Sequence, residues 1–340
     1  MGLIQKRDPS IDIMRFLGLV LIMAAHMDLP ATNVFFQIRT FDVPMMVFIS
    51  GLAFAGKDTG NWLRFIGKRT ARLLIPVYLF LTVFFLLHWA CAALGWGTAI
   101  PREKIIGSYL LRLRPSINFV WIFRVFLIVM LLTPLLSKLA KSIKGWWPAV
   151  LVFAAMVAAQ YFLVAWLKPL KAGWFVDDWV LYVLGYGSLF FLGLRMRNAE
   201  PKEWISYLAV IAAAFIPLAF KVAADKGSWL NMQAFKYPPG AYFVLWGAFA
   251  SCIIWLTRRW WTPVLNRAPV LFIGQNTIWI YLWHIVFGYP YYKSADVPYW
   301  LKFVLFFFVP SLIVLLQRII VDRLESGHPE RSRFLKYFKG

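Results

Sequence analysis

An arginine and a histidine share one face of a strongly apolar run near the amino terminus. In IDIMRFLGLVLIMAAHMDL, residues 11–29, Arg15 stands near the start and His26 near the end. At about 100° per residue the pair returns to within roughly 20° of one direction, and at about 1.5 Å per residue the two lie roughly 16 Å apart along the axis. Ionisable groups inside an apolar span are costly and serve by default as functional groups. A neutral imidazole is a general base near pH 7, and a guanidinium fork suits phosphate or carboxylate. A bland reading stays open: Arg15 snorkels to headgroups and His26 is an interfacial residue satisfied by water or a carbonyl.

Further residues of the same kind follow. The run FDVPMMVFISGLAFAG carries Asp42 near its start and Ser50-Gly51 near its middle, where small side chains admit a thin ligand or simply a neighbouring helix. The most basic stretch, GKDTGNWLRFIGKRTARLLIPVYLF, brings Arg69 and Arg72 to one helical face at i, i+3, a spacing that suits a phosphate or diphosphate and equally satisfies the positive-inside rule. In VLFIGQNTIWIYLWHIVF, His284 falls at about the depth of His26, facing it across a polar cavity or else sitting in an aromatic belt. Arg124 lies near the outer end of FVWIFRVFLIVML, where it either snorkels or contacts an acceptor. His88, in the third apolar run, has no motif neighbours, and His328 lies in the hydrophilic tail.

The elements that must position these groups are membrane helices. The chain has 340 residues, is 61% hydrophobic and 15% charged, and carries a net charge of +21. Such a composition excludes an ordinary soluble domain. Windows of about 20 apolar residues give about ten spans in one all-α polytopic domain covering 1–340: 11–29, 41–56, 73–95, 119–138, 147–167, 179–194, 204–220, 240–257, 268–288 and 300–321. The basic residues cluster between spans, and most fall on one side when both termini are cytoplasmic, so they write topology rather than nucleic-acid binding. That orientation leaves the basic loop 96–118 outside as a partly amphipathic segment. Cys91 and Cys252 lie in apolar runs without a CxxC, which indicates neither a disulfide framework nor a metal site. Lys6 and Arg7 precede the first run, but no cleavage site follows and Arg15 interrupts it, so the first helix is expected to remain in the mature chain. No GxSxG, P-loop, GxGxxG or HExxH is present.

Together the motifs resemble those of the acyltransferase-3 family of integral membrane acyltransferases. Arg15, ten intervening residues and His26 resemble its R-X10-H signature. FDVPMMVFISG resembles its apolar run ending in Ser-Gly, although Met45, Met46 and Val47 replace aromatic residues and only Phe48 is kept. KRTARLLIPVY is similar to its RxxR-Leu-Ile-Pro entry, and IGQNTIWIYLWH to its late segment ending in IYL-x-His, with Asn276-Thr277 where serine is common. The resemblance implies transfer of an acyl group, usually acetyl, from cytoplasmic acyl-CoA to a hydroxyl of a sugar, glycan or lipid-linked acceptor at the outer face of a bacterial inner membrane. On that reading His26 is the general base, with His284 assisting. Arg15, Arg69, Arg72, Ser50 and Gly51 hold the acetyl-CoA donor, Asp42 and Arg124 meet the acceptor, and no metal is needed. No fused esterase-like domain is expected, unlike in two-domain O-antigen acetylases, and an oligomer is compatible with the reading. The rival class is a transporter or flippase for an anionic glycan or metabolite, whose mark is inverted repeats with paired broken helices; the sequence shows neither.

Overall fold

The computed structural model describes residues 8–27, 29–291, 297–327 and 332–339; Lys6, Arg7 and His328 lie outside them. Capping chemistry sets the first helix. Asp8 accepts from the backbone N–H of Ser10 at 3.0 Å and Pro9 opens α1, Pro9–Ala25. A short α2, Val34–Ile38, and a 3₁₀ turn, Arg39–Phe41, lead into α3, Asp42–Phe54. Asn61 caps α4, Trp62–Ala93, through the N–H of Arg64 at 2.9 Å. Next come α5, Arg102–Tyr109, in the basic loop, then α6, Trp121–Ser142, and α7, Trp147–Leu167. A π turn, Val176–Val180, precedes α8, Leu181–Met196, and α9 is Pro201–Lys226. The remainder is α10, Ala241–Leu256; α11, Arg258–Leu265; α12, Ala268–Gln275; α13, Thr277–Tyr291; α14, Tyr299–Phe303, joined by a π turn, Val304–Phe308, to α15, Val309–Gly327; and α16, Ser332–Leu335.

Among the described residues seven helical stretches are long and apolar enough to cross a membrane, or up to nine when two bent pairs each count as one span. With 17 residues, α1 reaches the lower end of the span range of about 17–25. The chain is an all-α polytopic membrane protein. Leu151 and Phe162 on α7 and Ile216 and Phe220 on α9 project outward, as lipid-facing side chains do, while α3 and α8 are buried on almost every side.

Three expectations are corrected. The third span begins at Trp62, eleven residues before the apolar window, because the basic residues pass into the same helix, Arg69 and Arg72 among them as their spacing implied. The second span extends back to Val34 through α2 and the 3₁₀ turn. The ninth is broken: α12 and α13 meet at Asn276 with an 81° bend, and α10 and α11 meet at 68°. Broken helices do occur here, in consecutive positions rather than in matching positions of two halves.

The close approach of α3 and α8 rests on two glycines. A Cβ on Gly51 would collide with the Phe190 carbonyl, and one on Gly193 with the Phe48 carbonyl. Since backbone cannot yield as a side-chain tip can, Gly51→Leu is expected to exceed the usual overpacking cost of about 1–3 kcal/mol. Thermal unfolding of the detergent-solubilised variant checks this; an unchanged midpoint would refute the tight interface.

Candidate active site

The first expected group assembles at one mouth of a cavity of about 460 Å³. Arg15 from α1 and Arg69 and Arg72 from α4 line it, with Ser50 of α3 beside the path. Asp12, one turn before Arg15, pairs with it at 2.9 Å and accepts from Gln275 at 3.1 Å, which fixes α12 against α1. The same junction leaves no room beside Gly274, where a Cβ would strike the Asp12 carbonyl. Ser50 donates to the Met46 carbonyl at 3.0 Å, so its hydroxyl oxygen remains an acceptor for a ligand. Gly51 does not line the cavity, because it is spent on the α8 contact.

Ile22, Phe123 and Tyr281 also line the cavity. Neither His26 nor His284 lines it; both stand just behind that lining. Ile22 is one turn before His26 on α1, and the Tyr281 ring lies 4.5 Å from that of His284. His26 follows the last residue of α1, its backbone N–H bonded to Met23, and its ring stands 5.1 Å from His284 and 4.7 Å from Phe119. The fully buried His284 ring uses Nδ1 against the Tyr281 carbonyl, so Nδ1 carries the proton and Nε2 is left as an acceptor with no partner among the described residues. Tyr281 is itself held, its hydroxyl donating to the Phe119 carbonyl at 2.6 Å. The two histidines, which the sequence placed at similar depth, are thus adjacent.

Beside them lies a buried charged cluster. Asp42 accepts from Arg39 at 2.8 Å, from Lys236 at 3.2 and 3.3 Å, and from the N–H of Val43 at 2.7 Å. Arg39 and Lys236 raise the electrostatic potential at His26. Lys236, in the loop before α10, sits over Trp121 and Tyr237. Burial pushes its ammonium below the ordinary lysine value, and Asp42 pulls it back up. Arg124 is fully buried rather than at an outer surface: it pairs with Asp178 at 3.0 Å, donates to the Leu111 carbonyl at 2.9 Å and lies over Tyr182. Arg112 reaches the same carboxylate at 3.6 Å.

Sequence reasoning missed Arg39, Lys236, Asp178 and Arg112. Arg39 was accessible through its i, i+3 spacing to Asp42. Lys236 had no local signal, since its partner is remote in the chain. Among the described residues no group of three or more His, Cys, Asp or Glu is placed to hold a metal ion.

These features define a membrane helical bundle with an internal cavity lined by three arginines, and a pair of imidazoles packed behind its lining residues Ile22 and Tyr281. The chain belongs to the acyltransferase-3 family: the family model described as an acyltransferase domain matches residues 8–316. It is a membrane acyltransferase. No curated protein and no solved structure matches it.

Proposed function

We propose that the chain transfers an acetyl group from acetyl-CoA, admitted at the Arg15, Arg69 and Arg72 mouth, to a hydroxyl of a sugar or glycan, with His26 as general base. The observation that carries this reading is the alignment of one cavity between three arginines and the histidine pair. The guanidiniums meet the CoA phosphates, and the pantetheine arm passes Ser50 toward Ile22 and Tyr281. The acceptor oxygen attacks the thioester carbon while His26 takes its proton. Collapse of the tetrahedral intermediate expels the CoA thiolate, which recovers that proton, so an ester and free CoA leave the site. His284, with Nδ1 fixed by the Tyr281 carbonyl, packs its ring 5.1 Å from that of His26 and so orients it. Basic clusters between the spans support cytoplasmic termini; on this reading the chain sits in a bacterial inner membrane, with acceptor chemistry toward the outer side.

Purified protein in nanodiscs with radiolabelled acetyl-CoA tests the reading. Release or transfer of labelled acetate by the wild type supports it, and no acyl-CoA binding at all would overturn it in favour of transport. Arg72→Ala is expected to raise the KM for acetyl-CoA by about 10- to 100-fold, since hydrogen bonds to a charged group are worth about 1.5–3 kcal/mol, with kcat little changed. An unchanged KM would remove Arg72 from the donor site.

A further inference from the structure

A second, larger hollow of about 920 Å³ lies on the other side of α13. Its volume falls in the upper part of the range of small-molecule sites, about 300–1,000 Å³. The floor is one face of α13, where Trp279, Trp283 and Val286 recur at i, i+4 and i+7. Tyr281 and His284 occupy different faces of the same helix, so α13 is the wall between this hollow and the candidate active site. The opposite wall is α4, whose Val83 and Leu87 are half exposed. The two helices run side by side in register: Phe80 meets Trp283, and Phe84 and His88 both meet Tyr289.

The two ends differ. At the lower end the carboxyl-terminal segment folds back and closes the groove: Phe338 stacks on Trp279, whose indole N–H donates to the Tyr337 carbonyl at 2.9 Å, and Gln317 donates to the Phe338 carbonyl at 2.9 Å. At the upper end the turn Trp96–Pro101 and the start of α5 bring in Lys104, the one formally charged side chain among the described lining residues; no carboxylate lines the groove. From Leu79 to Cys91 the groove follows about 18 Å of α4, somewhat more than half of the roughly 30 Å hydrocarbon core of a bilayer. It is about as long as one leaflet is deep, apolar along its length, closed at one end by the carboxyl-terminal segment and positive at the other.

From this shape and charge we infer that the groove is a binding site for a single bilayer phospholipid with an anionic headgroup. Its acyl chain lies along α4 and α13, and its phosphate meets Lys104. The inference concerns binding and stands whether or not the chain transfers acetyl groups.

The test is photo-crosslinking of the full chain in nanodiscs, using phosphatidylglycerol with a diazirine in its acyl chain and, in parallel, a diacylglycerol with the same diazirine and no phosphate. Peptide mapping is expected to place phosphatidylglycerol adducts on residues 79–91 and 283–289 at several times the yield found on the lipid-facing side of α7 around Leu151 and Phe162. Val83→Trp with Leu87→Trp, which fills the groove, is expected to lower the groove adducts at least fivefold and leave those on α7 unchanged. Lys104→Gln should bring the phosphatidylglycerol yield down to that of diacylglycerol without altering the elution profile of the folded protein. Equal labelling of the groove and α7 would reduce the groove to ordinary bilayer contact. Equal labelling by the two probes in the wild type would refute a headgroup site at Lys104.

Discussion

His26→Ala is expected to lower acetyl transfer by about 10²–10⁴-fold, the usual worth of a positioned general base, while acetyl-CoA still binds. The separation of the two effects follows from the geometry. Arg15, Arg69 and Arg72 line the donor cavity, and His26 stands one turn beyond its lining residue Ile22. Truncation at this position spares the helix, because the capping bond uses the backbone N–H of residue 26 and the Met23 carbonyl. His284→Gln is expected to have a smaller effect on kcat and little on the donor KM, since His284 acts through His26. Single-turnover measurements with labelled acetyl-CoA separate binding from chemistry. Full activity in His26→Ala would refute the assignment. Label retained covalently on wild-type protein in the absence of acceptor, and lost in His26→Ala, would show an acyl-histidine in place of direct transfer.

The membrane class was legible because composition and apolar run length are global properties that no tertiary contact can reverse. Arg15 and His26 were legible for the same reason that they are costly, since a charged or titratable side chain in an apolar run stands out against its neighbours. Helix ends were less so. An apolar window marks where a helix is hydrophobic, not where it is helical, and α4 therefore starts at Trp62 with its basic face already formed. The bend at Asn276 was hidden because Asn and Thr are tolerated inside helices, whereas α12 is held by remote contacts, Gly274 on the Asp12 carbonyl and Gln275 on the Asp12 carboxylate.

The candidate site divides along the same line. Residues within one helical turn of each other, such as Arg69 with Arg72 or Asp12 with Arg15, can be paired from spacing alone. Lys236 with Asp42, Arg124 with Asp178 and His26 with His284 join segments remote in sequence, and only the packing of the bundle brings them together. Ser50 and Gly51 illustrate the limit. One motif placed them together, yet a helix turns about 100° between neighbours, so Ser50 looks into the cavity while Gly51 is pressed against α8.

Asp42→Ala is expected to destabilise the folded protein by about 3–5 kcal/mol, because it strips from a buried cluster the only carboxylate that Arg39 and Lys236 contact among the described residues. The three side chains are almost wholly inaccessible, so water cannot replace the lost partner. Lys236→Met should cost less, since it leaves the 2.8 Å Arg39 to Asp42 pair intact and removes a cation rather than stranding one. Charge, not volume, is the cause, and pH provides the check. Burial already holds Lys236 below the ordinary lysine value, and Asp42→Asn removes the carboxylate that pulls it up. The unfolded chain then binds more protons than the folded one between the lowered Lys236 value and the ordinary one, so stability rises with pH across that window. The deficit of Asp42→Asn relative to wild type is therefore expected to narrow as pH is raised from about 7 to about 10 in thermal unfolding of the detergent-solubilised protein. A deficit independent of pH would show that Asp42 serves packing alone, and one that widened would reverse the sign of the proposed charge balance beside His26.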